Sequence, residues 1–180
     1  MGFGVNLLEL AEKIGITGFL HCDELDKLVE LAANKDVLEV GSYRGLSAWG
    51  MAISAKTLTC VDTFQSASDG QRQTGQFTTL DVFMEAIGRF KNVRVCVGKS
   101  HEVKVLGDFD MVFLDCMHDF GSVRADIHRW WAKLRPGGLF VMHDYRHRDW
   151  PGVEKAADEL FGPASEGTTL VTLRWVQKNE

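Results

Sequence analysis

The sequence predicts a doubly wound α/β domain, a mostly parallel sheet with helices on both faces. Three observations carry this: five short apolar runs, helical patterns lying between them, and a length of 180 residues with 45% hydrophobic content that suits a single core. Residues 1–35 form an N-terminal helical segment, in which Leu25, Leu28, Val29 and Ala32 give residues 23–33 one apolar helical face and Asp23 offers itself as the cap. The period then changes. Val37–Val40, Leu58–Val61, Val93–Val97, Met111–Leu114 and Leu139–Met142 read as buried strands. Helical spacing fills the gaps at 45–55, 78–90 and 122–134, and returns at 152–161. Thr168 to Gln177 is rich in β-formers and is expected to add an edge strand. Gln65 to Gln76 is a long polar loop, which reads as solvated chain or as cover for a ligand. No repeat or linker divides the chain, so 1–180 is expected to be one domain.

With 20 Lys+Arg against 25 Asp+Glu, the formal charge of −5 argues against non-specific binding to nucleic acid. Arg124, Arg129, Lys133 and Arg135 gather on or near one helix but read as its solvated face. There is no secretory signal pattern, and no stretch approaches the roughly 18 apolar residues of a spanning helix. A cytoplasmic protein without membrane contact is expected. Cys22, Cys60, Cys96 and Cys116 form no CxxC pair and read as reduced thiols, Cys60 and Cys96 within buried strands.

In such a sheet, ligands bind beyond the carboxyl ends of the strands. The first strand runs into Gly41-Ser42-Tyr43-Arg44-Gly45-Leu46-Ser47. A dinucleotide site would need glycine where Tyr43 stands, and Glu39 adds negative charge, so a diphosphate is disfavoured. Asp62 follows the second strand about 20 positions beyond Gly41, the spacing at which an acid meets ribose hydroxyls. An acidic glycine loop suits an adenosine carrying a cationic group, and S-adenosylmethionine has that chemistry. Read singly, each feature is also an ordinary turn or cap. Gly98-Lys99-Ser100 imitates the end of a phosphate loop, but Val93 occupies the place of its first glycine. The turn reads instead as a strand end or as an edge to the adenine.

Asp115 and His118 follow the fourth strand, and His143-Asp144 follow the fifth. If those strands are neighbours, the four residues meet at one rim. Paired carboxylates there favour Mg²⁺, and participation by His143 would shift the preference toward a transition metal. His118, with an ordinary pKa near neutrality, suits a general base, although a surface loop histidine is the plainer reading. His143-Asp144-x-x-His147 imitates a metalloprotease helix, but His143 ends a strand and Trp150-Pro151 follows closely, so a zinc hydrolase is disfavoured.

Taken together, Val37 to Ser47, Val61 to Phe64, Gly98 to Ser100, Asp110 to His118, Arg135 to Tyr145 and Pro151 to Val153 resemble the class I S-adenosylmethionine-dependent methyltransferases. The match is to the small branch carrying DxxH and PGGxxxxHDY segments, related to metal-dependent O-methyltransferases. That resemblance implies a Rossmann-like class I methyltransferase fold. It implies that Glu39, Gly41, Ser42, Tyr43, Gly45 and Ser47 line the methionine and ribose portions of the donor. Asp62 would bind the ribose hydroxyls, while Thr63, Phe64, Gly98, Lys99 and Ser100 border the adenine. Asp115 would touch the donor as well. Asp115, His143 and Asp144 would hold Mg²⁺ or another divalent cation, and Asp115 and His118 would be the catalytic pair. The branch commonly has Gly and Asp where Cys116 and Met117 stand here.

The activity implied is O-methylation of a small-molecule or sugar hydroxyl, with metal assistance. Two alternatives come from other classes: a non-catalytic S-adenosylmethionine-binding protein or partner subunit, and a nicotinamide-dependent oxidoreductase, which Tyr43 and Glu39 disfavour. Sheet and donor site use most of the chain, so acceptor selectivity is expected from the N-terminal segment, the Gln65–Gln76 loop, the turns after the fourth and fifth strands or a neighbouring copy in a homo-oligomer.

Overall fold

The computed structural model describes residues 6–65 and 79–179. The Gln65–Gln76 loop therefore lies outside the described residues except for Gln65. Two helices, α1 (Leu7–Lys13) and α2 (Cys22–Ala32), precede β1 (Asp36–Val40). Next come α3 (Leu46–Ser54), β2 (Thr57–Asp62), α4 (Leu80–Ile87), β3 (Val93–Val97), β4 (Phe109–Leu114), α5 (Phe120–Trp131) and β5 (Leu134–Met142). The chain ends with α6 (Pro151–Phe161), β6 (Thr169–Leu170) and β7 (Leu173–Gln177).

The seven strands lie in the order β3-β2-β1-β4-β5-β7-β6. β1 through β5 pair in parallel, and β7 runs antiparallel to both β5 and β6. Alternation along the strands sorts the side chains onto two faces. Val37, Leu58, Met111, Phe113 and Val141 pack beneath the first four helices with Leu25, Leu28, Met51 and Phe83. Leu38, Val40, Val112, Leu114, Phe140 and Met142 pack beneath α5 and α6 with Ile127, Trp130, Val153 and Ala157. This is the expected doubly wound sheet, and it places β1, the point where the strand order reverses, beside β4.

Three expectations change. The cap of α2 is His21 rather than Asp23: the His21 ring accepts from the Asp23 N–H, while Glu24 reaches back to the His21 N–H. β3 is a sheet edge and half-exposed rather than buried, so Cys96 is only partly covered; Cys60 is fully buried and all four cysteines are free thiols. The carboxy-terminal segment supplies two strands, and β7 lies inside β6 instead of forming the edge. Arg124 and Arg129 lie on an exposed face as expected, and pair there within the chain: Arg124 with Glu159 and Arg129 with the Val103 carbonyl, while Arg135 beyond the helix pairs with Asp36 and Asp110.

α6 is pinned by buried charge. Arg174, 2% exposed, donates to Asp158 at 2.6 Å, and the Tyr145 hydroxyl donates to the same carboxylate at 2.9 Å. Gly152 lets the start of this helix press on the backbone after β4, because a Cβ there would overlap the His118 carbonyl and the Phe120 nitrogen. No helix among the described residues is long and apolar enough to cross a membrane.

Candidate functional site

The carboxyl ends of β1 and β2 build a backbone cradle. Gly41 has φ +93°, and a Cβ on it would overlap the Asp115 carbonyl, so only glycine lets the loop after β1 lie against the end of β4. The loop folds over Asp62. Its Oδ2 accepts the Ser42 N–H at 2.7 Å and the Tyr43 N–H at 2.8 Å, while Oδ1 accepts the Phe64 N–H at 2.7 Å. Oδ1 keeps a lone pair for a further donor. Tyr43 stacks on Phe19, which is largely exposed, at 5.6 Å between centroids.

Glu39 lies beneath this loop, fully buried, and accepts the Ser42 and Ser47 hydroxyls at 2.5 Å each. Burial pushes its carboxyl up to about 7, against the pull of those two hydroxyls. Glu39, expected to line the donor, is fully buried and supports Ser42 and Ser47 from below. Gly45 adopts φ +93° as the N-cap of α3. Phe64, expected at the adenine, is a core residue: it is 1% exposed and packs on Phe83 at 4.9 Å. The Thr63 hydroxyl accepts the Gln65 N–H.

On the far side of the cradle, the turn after β3 is tied to the turn after β4 by a residue the sequence did not single out. Asp126 of α5, 5% exposed, accepts the Ser100 hydroxyl at 2.5 Å and the Cys116 thiol at 3.1 Å. Lys99 instead pairs with Glu102 beside Gly98. Burial and the Asp126 carboxylate push the Cys116 thiol well up, so it stays protonated.

β4 and β5 are neighbours, and their ends bring Asp115, His118, His143 and Asp144 to one rim as expected. His118 Nε2 is 2.8 Å from Asp144 Oδ2 and 3.7 Å from Asp115 Oδ1; His143 Nδ1 is 3.4 Å from Asp115 Oδ1 and 3.5 Å from Asp144 Oδ2. Asp144 turns into this group from a left-handed conformation, φ +59°. Despite the short distances, both nitrogens are buried without an aligned hydrogen-bond partner. Ligand atoms of Asp115, His118 and Asp144 lie within 4.8 Å of one another, a donor set of two carboxylates and an imidazole that suits a divalent cation. His143, expected in the set with Asp115 and Asp144, keeps Nδ1 toward both carboxylates and turns Nε2 to Glu24 at 3.3 Å, a buried acid of α2 missed in the sequence.

The charges balance. Burial alone would lower His118, but Asp115 and Asp144 raise it to about 9, so at neutral pH it is an imidazolium rather than the near-neutral base its ordinary pKa suggests. Burial would likewise lower His143, yet Asp115, Asp144 and Glu24 push it up to about 12. Burial opposes ionisation of Asp144 and Asp115, and the two histidines still hold both carboxyls below the usual range. Trp150 stacks on His118 at 4.5 Å with part of its ring exposed. His147 caps a turn through the Asp149 N–H, and residues 143–150 are non-helical, which removes the metalloprotease reading.

Residues 38–145 match the family model described as a methyltransferase domain. Comparison with curated proteins gives no match. Among solved structures, the O-methyltransferase NovP superposes with a TM-score of 0.70 at 16% identity, covering 91% of this chain and 82% of that one. The N-methyltransferase NodS from Bradyrhizobium japonicum WM9 gives 0.64 at 17% identity, over 88% and 96%. The O-methyltransferase TomG from Streptomyces achromogenes, solved with SAM, gives 0.64 at 17% identity, over 97% and 88%.

Proposed function

The chain belongs to the methyltransferase-domain family, and from that premise we propose that it transfers the methyl group of S-adenosylmethionine to a hydroxyl oxygen of a small molecule or sugar. The observation that carries this reading is the acid–histidine rim beside the cradle: Asp115, His118 and Asp144 gathered at the ends of β4 and β5, which donor binding alone does not require. O-methyltransferases among the solved structures of like fold support the choice of oxygen.

In the proposed reaction, Asp62 Oδ1 accepts a ribose hydroxyl and the Gly41–Ser47 loop holds the methionine portion. The rim acids face the sulfonium side, where negative charge favours a cation. The acceptor oxygen forms a bond to the methyl carbon as the carbon–sulfur bond breaks, its electron pair staying on sulfur to give S-adenosylhomocysteine. The sulfonium is already activated, so alignment and removal of the acceptor proton are what the protein supplies. Neutral His118 takes that proton, and Asp144 and Asp115 orient the ring and stabilise the imidazolium that results. Asp115, His118 and Asp144 would alternatively hold a divalent cation, which would occupy the imidazole lone pair and lower the pKa of an acceptor hydroxyl in place of base action by His118.

Calorimetry with S-adenosylmethionine, with and without Mg²⁺, followed by assay of S-adenosylhomocysteine release over phenols, catechols and nucleotide sugars, tests this. Donor binding with turnover on a hydroxyl acceptor is expected. Binding without transfer to any of them would favour the donor-binding partner subunit, and absence of binding would overturn the proposal.

A further inference from the structure

Glu24 is 2% exposed and gathers three distant parts of the chain. Its Oε1 accepts the Thr172 N–H at 2.8 Å and the Thr172 hydroxyl at 2.7 Å. Its Oε2 accepts the His21 N–H at 2.9 Å and faces His143 Nε2 at 3.3 Å. A capping glutamate needs only the first of these Oε2 contacts, and one serving only as a cap has no reason to be buried. Here the carboxylate is buried and keeps its bond to the helix start while it is shared with the β6–β7 turn and the end of β5. That turn is itself unusual: Val171 has φ +53°, a conformation that β-branched residues rarely adopt. It is held there by Glu24 on one side and by the Tyr145 N–H, which donates to the Thr172 carbonyl at 2.9 Å, on the other.

Among the described residues, Glu24 is the only acceptor within reach of His143 Nε2, and the other ring nitrogen faces both rim aspartates. A ring flip would turn carbon toward all three carboxylates. We propose that Glu24 is a positioning residue of the transfer site, clamping the His143 imidazole so that Nδ1 stands against Asp115 and Asp144 and their spacing is set from α2. This rests on the reading of that rim as the reaction centre. It makes the N-terminal helical segment part of the catalytic apparatus, where a cap alone would make it packing.

Glu24→Gln separates the two roles. The amide oxygen can keep the Thr172 bonds, which leaves the amide nitrogen to face His143 Nε2 and donate to it, so the imidazolium gives up its Nε2 proton and keeps the one on Nδ1. Long-range proton–nitrogen NMR correlations on histidine-labelled full-length protein, assigned with a His143→Gln variant, report which nitrogen is protonated. The expected result is a proton on Nε2 in the wild type and none there in Glu24→Gln, with S-adenosylmethionine affinity within about threefold. Turnover on an acceptor the wild type methylates should fall at least about tenfold with KM unchanged. An identical ring pattern in both proteins overturns the proposal, as does a changed ring with full turnover. If Glu24→Gln fails to fold, Thr172→Val, which removes one donor to Oε1, should still move the His143 nitrogen signals; unmoved signals overturn the proposal. A wild type that methylates nothing would sink the reaction-centre reading, while the ring pattern still decides the clamp.

Discussion

The donor cradle and the acid–histidine rim lie side by side at the carboxyl ends of the same sheet, yet they are built in opposite ways. The cradle is local. Glycine conformations and backbone N–H groups from one loop close over Asp62, and every partner in that arrangement falls between residues 41 and 64. The rim is assembled from α2, the ends of β4 and β5, and the loop before α6, and it is held by alternating charge: Glu24, His143, the two aspartates, His118. A site made from backbone geometry is intolerant of added side-chain atoms. A site made from buried charge tolerates changes of shape better than changes of sign.

The sharpest way to break this contrast is a pair of substitutions. Asp144→Asn keeps the size of the side chain but removes the charge that orients His118, and should lower methyl transfer by about a thousandfold, within the range for loss of acid–base assistance. Donor affinity measured by calorimetry should stay within about threefold. Asp62→Ala should do the reverse, weakening donor binding roughly a hundredfold through loss of a charge-assisted hydrogen bond and of the loop it organises. If both variants lose donor binding alike, the two stations are one site and the comparison fails.

The same contrast governs what could be read from the chain. Gly41, Gly45 and Asp62 announce themselves by spacing, because a loop between adjacent strands must solve its geometry with nearby residues. The five parallel strands were legible from the apolar runs, although their spatial order and the half-exposure of β3 were not, since a run of Val and Cys looks the same at an edge as in the middle. Glu24 and Asp126 were illegible because each finds its partners only after folding, Glu24 at 119 and 148 positions away. A faint signal existed for Glu24: His21 and Glu24 have capping-box spacing, but histidine is not among the usual N-caps. The family resemblance placed Phe64 at the adenine, while its backbone is left-handed, φ +54°, and its ring lies in the core instead.

A smaller effect follows from the charge of the rim. With chelator present, His118 must be neutral to accept a proton, and its pKa is raised to about 9 by Asp115 and Asp144 against the effect of burial. Transfer should therefore climb about tenfold per pH unit below 9 and level above it. Stability runs the other way: the folded-state pKa lies above the ordinary 6.5, so what His118 contributes is complete below about 6.5 and is lost as pH rises through about 9. Asp144→Asn should move the inflection of any residual activity to lower pH, and an unmoved inflection would detach His118 from the aspartates.

The smallest effect lies under the cradle, at the buried acid Glu39. Burial raises Glu39 from 4.5 to about 7 against the Ser42 and Ser47 hydrogen bonds, so the folded state favours the protonated form. Its contribution to stability is complete below about 4.5 and is lost as pH rises through about 7, leaving a buried charge at pH 8. Glu39→Gln is neutral at every pH, and the serine hydroxyls can rotate to accept from its amide. The variant should therefore match the wild type near pH 4.5 and exceed it by roughly 2 kcal/mol at pH 8, or about 5 °C in Tm. Thermal melts at the two pH values check the sign. Donor affinity should change little, since Glu39 acts through Ser42 and Ser47 from below; a loss as large as that of Asp62→Ala would mean that the carboxylate itself reaches the donor.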